Sequence, residues 1–159
     1  MPMNFRVSHP QGSAAALALI LALGALPGIA AAQRVEVMKS PTCGCCEGWA
    51  SHMQAEGFDV AVTDTPDDAL AAAKARLGIT PETASCHTAT VEGYVIEGHV
   101  PAEDVRRLLA EQPEAIGLSA PGMPLGSPGM EMGGAAERYD VLLLRRDGTT
   151  EHFASHGAD

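Results

Sequence analysis

Apolar and polar positions alternate from Val35 to Lys39, and the valines are β-branched, which predicts a strand. Ser40-Pro41-Thr42 then breaks the chain as a turn. The period changes after it. Trp49 and Met53 lie four residues apart on one face of a helix that runs from the cysteines at 43–46 to about Glu56, with Gly57 as its C′ residue. Phe58 to Thr63 reads as a second strand. Thr65-Pro66-Asp67-Asp68 supplies a Thr cap, a proline at the first position and acids in the first turn of a second helix. That helix carries Leu70, Ala73 and Leu77 and stops at Gly78. Thr88–Val91 and Tyr94–Ile96 form two strands around the tight turn Glu92-Gly93. Pro101 opens a third helix, with Glu103 and Asp104 near its start, Arg106 and Arg107 further on, and Pro113 after its end.

Dense Gly, Pro and Met from Gly117 to Gly134 predict a segment without regular structure. Tyr139–Leu144 and Thr149–Phe153 flank Asp147-Gly148 as a closing hairpin. The order β-α-β-α-β-β-α, followed by a Met/Gly/Pro-rich loop and a C-terminal hairpin, makes an α/β fold. With Cys43 and Cys46 spaced C-x-x-C where the first strand meets the first helix, it resembles a thioredoxin-like fold. A helix start offers unpaired N–H groups and the positive end of the dipole, so a cysteine there ionises more readily.

Residues 1–32 differ in character from the rest. Arg6 is their one charged side chain, and the run Ala14–Ala32 is almost wholly apolar, with a Pro27-Gly28 break and Ala30-Ala31-Ala32 at its end. That is the pattern of a secretory signal peptide cut after Ala32, which leaves a single domain over 33–159. The rival reading, a membrane anchor, has a run of borderline length that is broken by Gly24, Pro27 and Gly28. The chain has 10 basic and 20 acidic residues, so removing one Arg leaves 9 against 20, a net charge of −11. Such a surface repels nucleic acid and anionic lipid, and no stable membrane insertion is expected after cleavage.

All four cysteines, Cys43, Cys45, Cys46 and Cys86, lie in the expected mature part. An exported chain meets an oxidising compartment, so its thiols should be paired, metal-bound or cycling. Four cysteines allow three pairings. One purely structural reading is a Cys46–Cys86 staple closing a loop of about 40 residues, worth roughly 4 kcal/mol. C-x-x-C alone is shared by redox and zinc proteins. Cys45 is the informative residue: it offers a thiol–disulfide enzyme a wrong partner, but offers a metal a third ligand. Cys86 supplies a fourth, because the turn before the third strand of a thioredoxin-like fold faces the C-x-x-C loop. Thioredoxins place a cis-proline in that turn, whereas here the nearest is Pro81. Thiolates crowded this closely suit bridged Cu(I), with tetrahedral Zn(II) as the weaker alternative. Met123, Met130 and Met132 add soft thioether sulfur in an open loop, against the plain alternative of packing residues. His87 and His99 stand evenly between metal ligands and surface residues. His52 is expected at the surface, His152 and His156 in a solvated tail, and Trp49 in the core.

Four motifs then converge. S-P-T-C-G-C-C at 40–46, S-C-H-T-A at 85–89, V-I-E-G-H-V-P at 95–101 and P-G-M-P-L-G-S-P-G-M-E-M at 121–132 are similar to the CopG-type copper-resistance proteins, an exported bacterial family long described only as metal-binding. The resemblance spans about residues 34–154. It implies a thioredoxin-like fold, a periplasmic location and copper held by Cys43, Cys45, Cys46 and Cys86. Copper ions, and other periplasmic copper-handling proteins, are the expected partners. Two functions follow from different classes: a Cu(I)-binding protein of copper resistance or homeostasis, or a thiol- or copper-dependent oxidoreductase acting through Cys43 and Cys46.

Overall fold

The structure, a computed structural model, describes Met1, Met3 and residues 31–157. The expected leader therefore falls almost wholly outside the described residues. One compact unit, beginning at Ala31, holds every element described here. These are β1 (Arg34–Lys39), α1 (Gly44–Ala55), β2 (Asp59–Asp64), α2 (Asp67–Arg76), β3 (His87–Val91), β4 (Tyr94–Gly98), α3 (Ala102–Glu111), β5 (Gly117–Ala120), β6 (Tyr139–Leu144) and β7 (Thr150–His156). Among the described residues no helix is long and apolar enough to cross a membrane.

One mixed sheet of seven strands runs in the order β2-β1-β3-β4-β5-β6-β7. The parallel pairs β1/β2 and β4/β5 require crossovers, which α1 and α3 supply. The other neighbours are antiparallel. Alternation in β1 works as the sequence predicts: Val35 and Val37 are buried and Glu36 is exposed. These valines join Trp49, Met53, Ile96, Val105 and Leu108 in the main core. A smaller cluster of Ile79, Val95 and Leu144 includes Leu77 from the end of α2. Val95 and Ile96 alternate along β4 and enter different clusters, so the sheet is covered on both faces. At the β3–β4 turn, Glu92 and Gly93 both have positive φ (46° and 84°), as a two-residue hairpin with the right twist requires.

Three expectations need correction. Gly117–Ala120 is a strand, fully buried between β4 and β6, rather than the start of an irregular segment. Its local sequence is poor in strand formers, and pairing on both sides overrides that weakness. Gly117 is what permits the pairing, since a Cβ there would lie 1.8 Å from the Val95 carbonyl oxygen. His152 and His156 do not lie in a tail, although His152 is exposed as expected. Both lie on β7, and His156 is paired with Tyr139 across the hairpin, stacks on its ring at 5.4 Å and meets Asp104 Oδ2 through Nε2 at 2.6 Å. Helix α2 starts after Pro66 rather than at a Thr65 cap, because the Thr65 hydroxyl donates back to the Thr63 carbonyl.

Gly117→Ala is expected to destabilise the protein by about 3 kcal/mol, the upper range for overpacking, since the clash is with backbone that cannot rotate away. A thermal melt checks this, and an unchanged midpoint would remove β5 as an obligatory strand.

Candidate metal centre

Strand β1 ends at Lys39, and its side chain sets where α1 begins. Lys39 Nζ is buried and reaches Asp64 at 2.8 Å, Glu47 at 2.9 Å and the Ser40 carbonyl at 3.2 Å. The contact with Glu47 ties the first turn of α1 to the sheet. Those carboxylates hold the Lys39 ammonium above its ordinary pKa. Cys43 then takes the N-cap position with an extended backbone and no side-chain cap, so Cys45 and Cys46 fall in the first turn of α1. Three sulfurs crowd one helix start.

Cys43 and Cys46 form a disulfide, with Cα atoms 5.4 Å apart, while Cys45 and Cys86 are free thiols. The structure thus replaces the Cys46–Cys86 staple by the pair that the helix start brings together. Cys86 nevertheless belongs to the cluster. Its Sγ lies 3.4 Å from Cys46 Sγ and 4.0 Å from Cys45 Sγ, and Cys45 Sγ lies 3.5 Å from Cys43 Sγ. All four sulfurs fall within 4.8 Å of one another. Burial is the main reason that the Cys86 thiol is pushed up to about 11, with the nearby Cys45 adding to it.

Two imidazoles complete the cluster. His99 Nε2 lies 3.0 Å from Cys86 Sγ, and His99 Nδ1 lies 2.8 Å from the Pro128 carbonyl oxygen. A carbonyl only accepts, so Nδ1 carries the proton and Nε2 presents its lone pair to the sulfur. Burial lowers the His99 pKa and keeps the ring neutral. His87 Nδ1 lies 3.4 Å from Cys86 Sγ, and its ring packs against Trp49 at 4.5 Å and edge-on to His99 at 5.1 Å. An extended chain would have turned His87 away from Cys86, but Cys86 sits in a bend just before β3, so both side chains reach one site. Burial holds His87 well below its ordinary pKa, and its Nε2 is a buried nitrogen with no hydrogen-bond partner. Cys86, His87 and His99 also offer ligand atoms within 4.8 Å of one another.

The methionines behave differently. Met123 and Met132 are 54% and 78% exposed, and Met130 is half-buried in the loop. The loop serves the site through its backbone instead. Gly129 lies directly on α1: a Cβ on it would be 2.5 Å from Trp49 N and 2.6 Å from the Cys45 carbonyl oxygen. That seating holds Pro128 against His99. His52, expected at the surface, is half-buried, and its Nε2 accepts from the Ala102 N–H at 3.2 Å at the start of α3. Trp49 is in the core as expected, its Nε1 donating to the Val100 carbonyl at 2.8 Å. Sequence reading missed Lys39 as an anchor and missed Glu97, a buried carboxylate under the Cys86 bend. The available signals were a charged residue ending an apolar alternation and a Glu inside the apolar run Val95-Ile96-Glu97.

Half-buried thiols and neutral imidazoles converging from a strand–helix junction and a facing bend define an α/β protein with a metal-ligand cluster of soft sulfur and nitrogen donors. Residues 83–130 match the family described as "Protein of unknown function, DUF411". No curated protein matches significantly. Two solved structures do, titled "Copper resistance protein copG- Form 1" and "Form 2". They are 40% and 39% identical to this chain, each with a TM-score of 0.73, and each match covers 79% of this chain and 98% of the solved one. The chain belongs to the family of the copper resistance protein CopG.

Gly48 on α1 faces the Gly/Pro loop, where an added Cβ would lie 2.9 Å from Gly129 Cα. Gly→Ala within a helix ordinarily stabilises by roughly 0.5–1 kcal/mol. Here the clash with backbone should reverse the sign, so Gly48→Ala is expected to lower the melting midpoint. A raised midpoint would mean that the loop at Gly129 is not seated on α1.

Proposed function

We propose that the protein binds copper, holding Cu(I) through Cys43, Cys45, Cys46 and Cys86 and contributing to copper resistance or homeostasis in the periplasm. The carrying observation is the set of four sulfurs within 4.8 Å of one another, next to His99 Nε2 and His87. The donors fit the ion. Sulfur is soft and selects Cu(I), and both rings are neutral and can donate a lone pair. The orphaned His87 nitrogen and the 3.0 Å approach of His99 to Cys86 are what a ligand-bearing pocket would show. Bound Cu(I) would balance the negative charge of the thiolates, which burial opposes at Cys86. Two of the sulfurs are tied up in the Cys43–Cys46 disulfide, so the full thiolate set forms only after two-electron reduction. Titles naming copper resistance on structures 40% identical support the metal. The apolar run before residue 33 supports export, and the element order supports a thioredoxin-like reading of the fold. Other periplasmic copper-handling proteins would deliver or receive the ion, and Met123 and Met132 are exposed enough to meet one.

One observation favours a second reading. A Cys43–Cys46 disulfide flanked by free thiols is also the resting state of a thiol- or copper-dependent oxidoreductase. A thiol oxidoreductase needs neither Cys45 nor Cys86, so if exchange is the activity a Cys45→Ser, Cys86→Ser double variant should keep it.

Anaerobic titration of the reduced protein with Cu(I) against a moderate chelator tests the binding reading. The reduced protein should hold more copper than the disulfide form. Cys45→Ser and Cys86→Ser should each weaken retention by about tenfold or more, roughly 1.4 kcal/mol. Failure of the reduced wild type to compete, an unaffected Cys45→Ser variant, or a preference for zinc would overturn it.

A further inference from the structure

Beneath the Cys86 bend lies a carboxylate that the metal reading does not use. Glu97 on β4 is fully buried. Its Oε1 accepts from Lys74 Nζ at 2.5 Å and from the Ser85 backbone N–H at 2.7 Å, and its Oε2 accepts from the Thr88 hydroxyl at 2.6 Å. Lys74 also donates to Thr88 Oγ1 at 2.8 Å, which closes the network. The β3–β4 register sets Thr88 opposite Glu97, and Lys74 descends from α2.

Burying an ion pair costs several kcal/mol per ion in desolvation, and apolar residues of similar volume stabilise a core as well or better. Stability alone therefore does not account for a carboxylate here. What it does, and an apolar residue could not, is hold the amide of Ser85, one residue before Cys86. The next two residues along the chain contact the same limb. A Cβ on Gly98, which has φ +75°, would fall 2.3 Å from Ser85 Oγ, so the limb packs against bare backbone. His99 then meets Cys86 Sγ itself. Three successive residues, Glu97, Gly98 and His99, thus hold the limb by its amide, its flank and its thiol.

We infer that Glu97 is a positioning residue: its carboxylate, held by Lys74 on Oε1, grips the Ser85 amide through that same oxygen and fixes Cys86 Sγ against Cys45, Cys46 and His99. This deepens the copper reading and rests on it only for what the positioned thiol binds. Without the carboxylate the Ser85 amide loses its acceptor, and the limb keeps only its ties to Gly122, where Ser85 Oγ donates to the carbonyl and the Ala84 carbonyl accepts from the N–H, so Cys86 is held less firmly against the helix start.

A copper-independent probe tests this. In the metal-free disulfide form Cys45 and Cys86 are the free thiols, with sulfurs 4.0 Å apart. Phenylarsine oxide bridges two thiols held close together: two As–S bonds form, and its oxygen leaves as water with the two thiol protons. Glu97→Ala should weaken its binding by about tenfold, the scale of a hydrogen bond to a charged group. Glu97→Gln keeps an acceptor for Ser85 but loses the charge, and should cost about threefold. Thr88→Val removes a donor from the same buried network without releasing Ser85. It should lower the melting midpoint yet leave arsenical binding unchanged, which separates positioning from general destabilisation. Far-UV circular dichroism establishes that each variant is folded, and if Glu97→Ala does not fold, Glu97→Gln decides. Wild-type arsenical affinity in the folded Glu97 variants overturns the inference, as does a Thr88→Val loss equal to that of Glu97→Ala. Cu(I) retention by the reduced variants should fall in parallel. An arsenical loss without a copper loss leaves Glu97 in its role and counts against the copper reading.

Discussion

The antiparallel pairing of β1 with β3, which sets Lys39 opposite His87, is the constraint on which the site depends. It brings the end of one strand and the start of the other to the same edge of the sheet. Helix α1 starts just beyond β1, and Cys86 lies just before β3, so the two cysteine-bearing segments must face each other. A slip by one residue would turn every side chain to the opposite face, withdrawing His87 from the cluster and Lys39 from its carboxylates. The neighbouring registers extend the effect. Thr88 opposite Glu97 places a carboxylate under the bend, and Gly98 opposite Ala120 launches the Gly/Pro loop towards α1, where Pro128 closes on His99.

Two opposing physical tendencies meet in this cluster. A helix start favours anionic sulfur through unpaired N–H groups and the dipole. Cys86 lies across from that helix, and burial keeps its thiol protonated. The two imidazoles are likewise held neutral by burial. A pocket so poor in charge, yet so rich in soft donors, is suited to a soft cation that supplies the charge its thiolates need. The same crowding lets Cys43 and Cys46 close a disulfide, so ligand supply and oxidation state are linked through one bond.

Much of this was legible in the chain. Val35 and Val37 announced β1 by period, Glu92-Gly93 announced the β3–β4 hairpin by turn chemistry, and the cysteine spacing announced the site. Local signals failed where tertiary contacts decide. Gly117 to Ala120 carry almost no strand propensity, and only neighbours on both sides make them a strand. His87 was ambiguous because a bend at Cys86 cannot be read from residue types. Glu97 was invisible as a site element because its partners, Lys74 and Ser85, come from other parts of the chain. The methionine loop was read for its sulfur, whereas its glycines and one carbonyl do the work of holding His99.

Copper-edge X-ray absorption on the reduced, copper-loaded protein tests the central claim most directly. The account predicts Cu(I) with a shell dominated by sulfur, a minor nitrogen contribution, and a loss of sulfur scattering in Cys86→Ser. A shell of oxygen and nitrogen alone, or a spectrum unchanged by loss of Cys86, would contradict it.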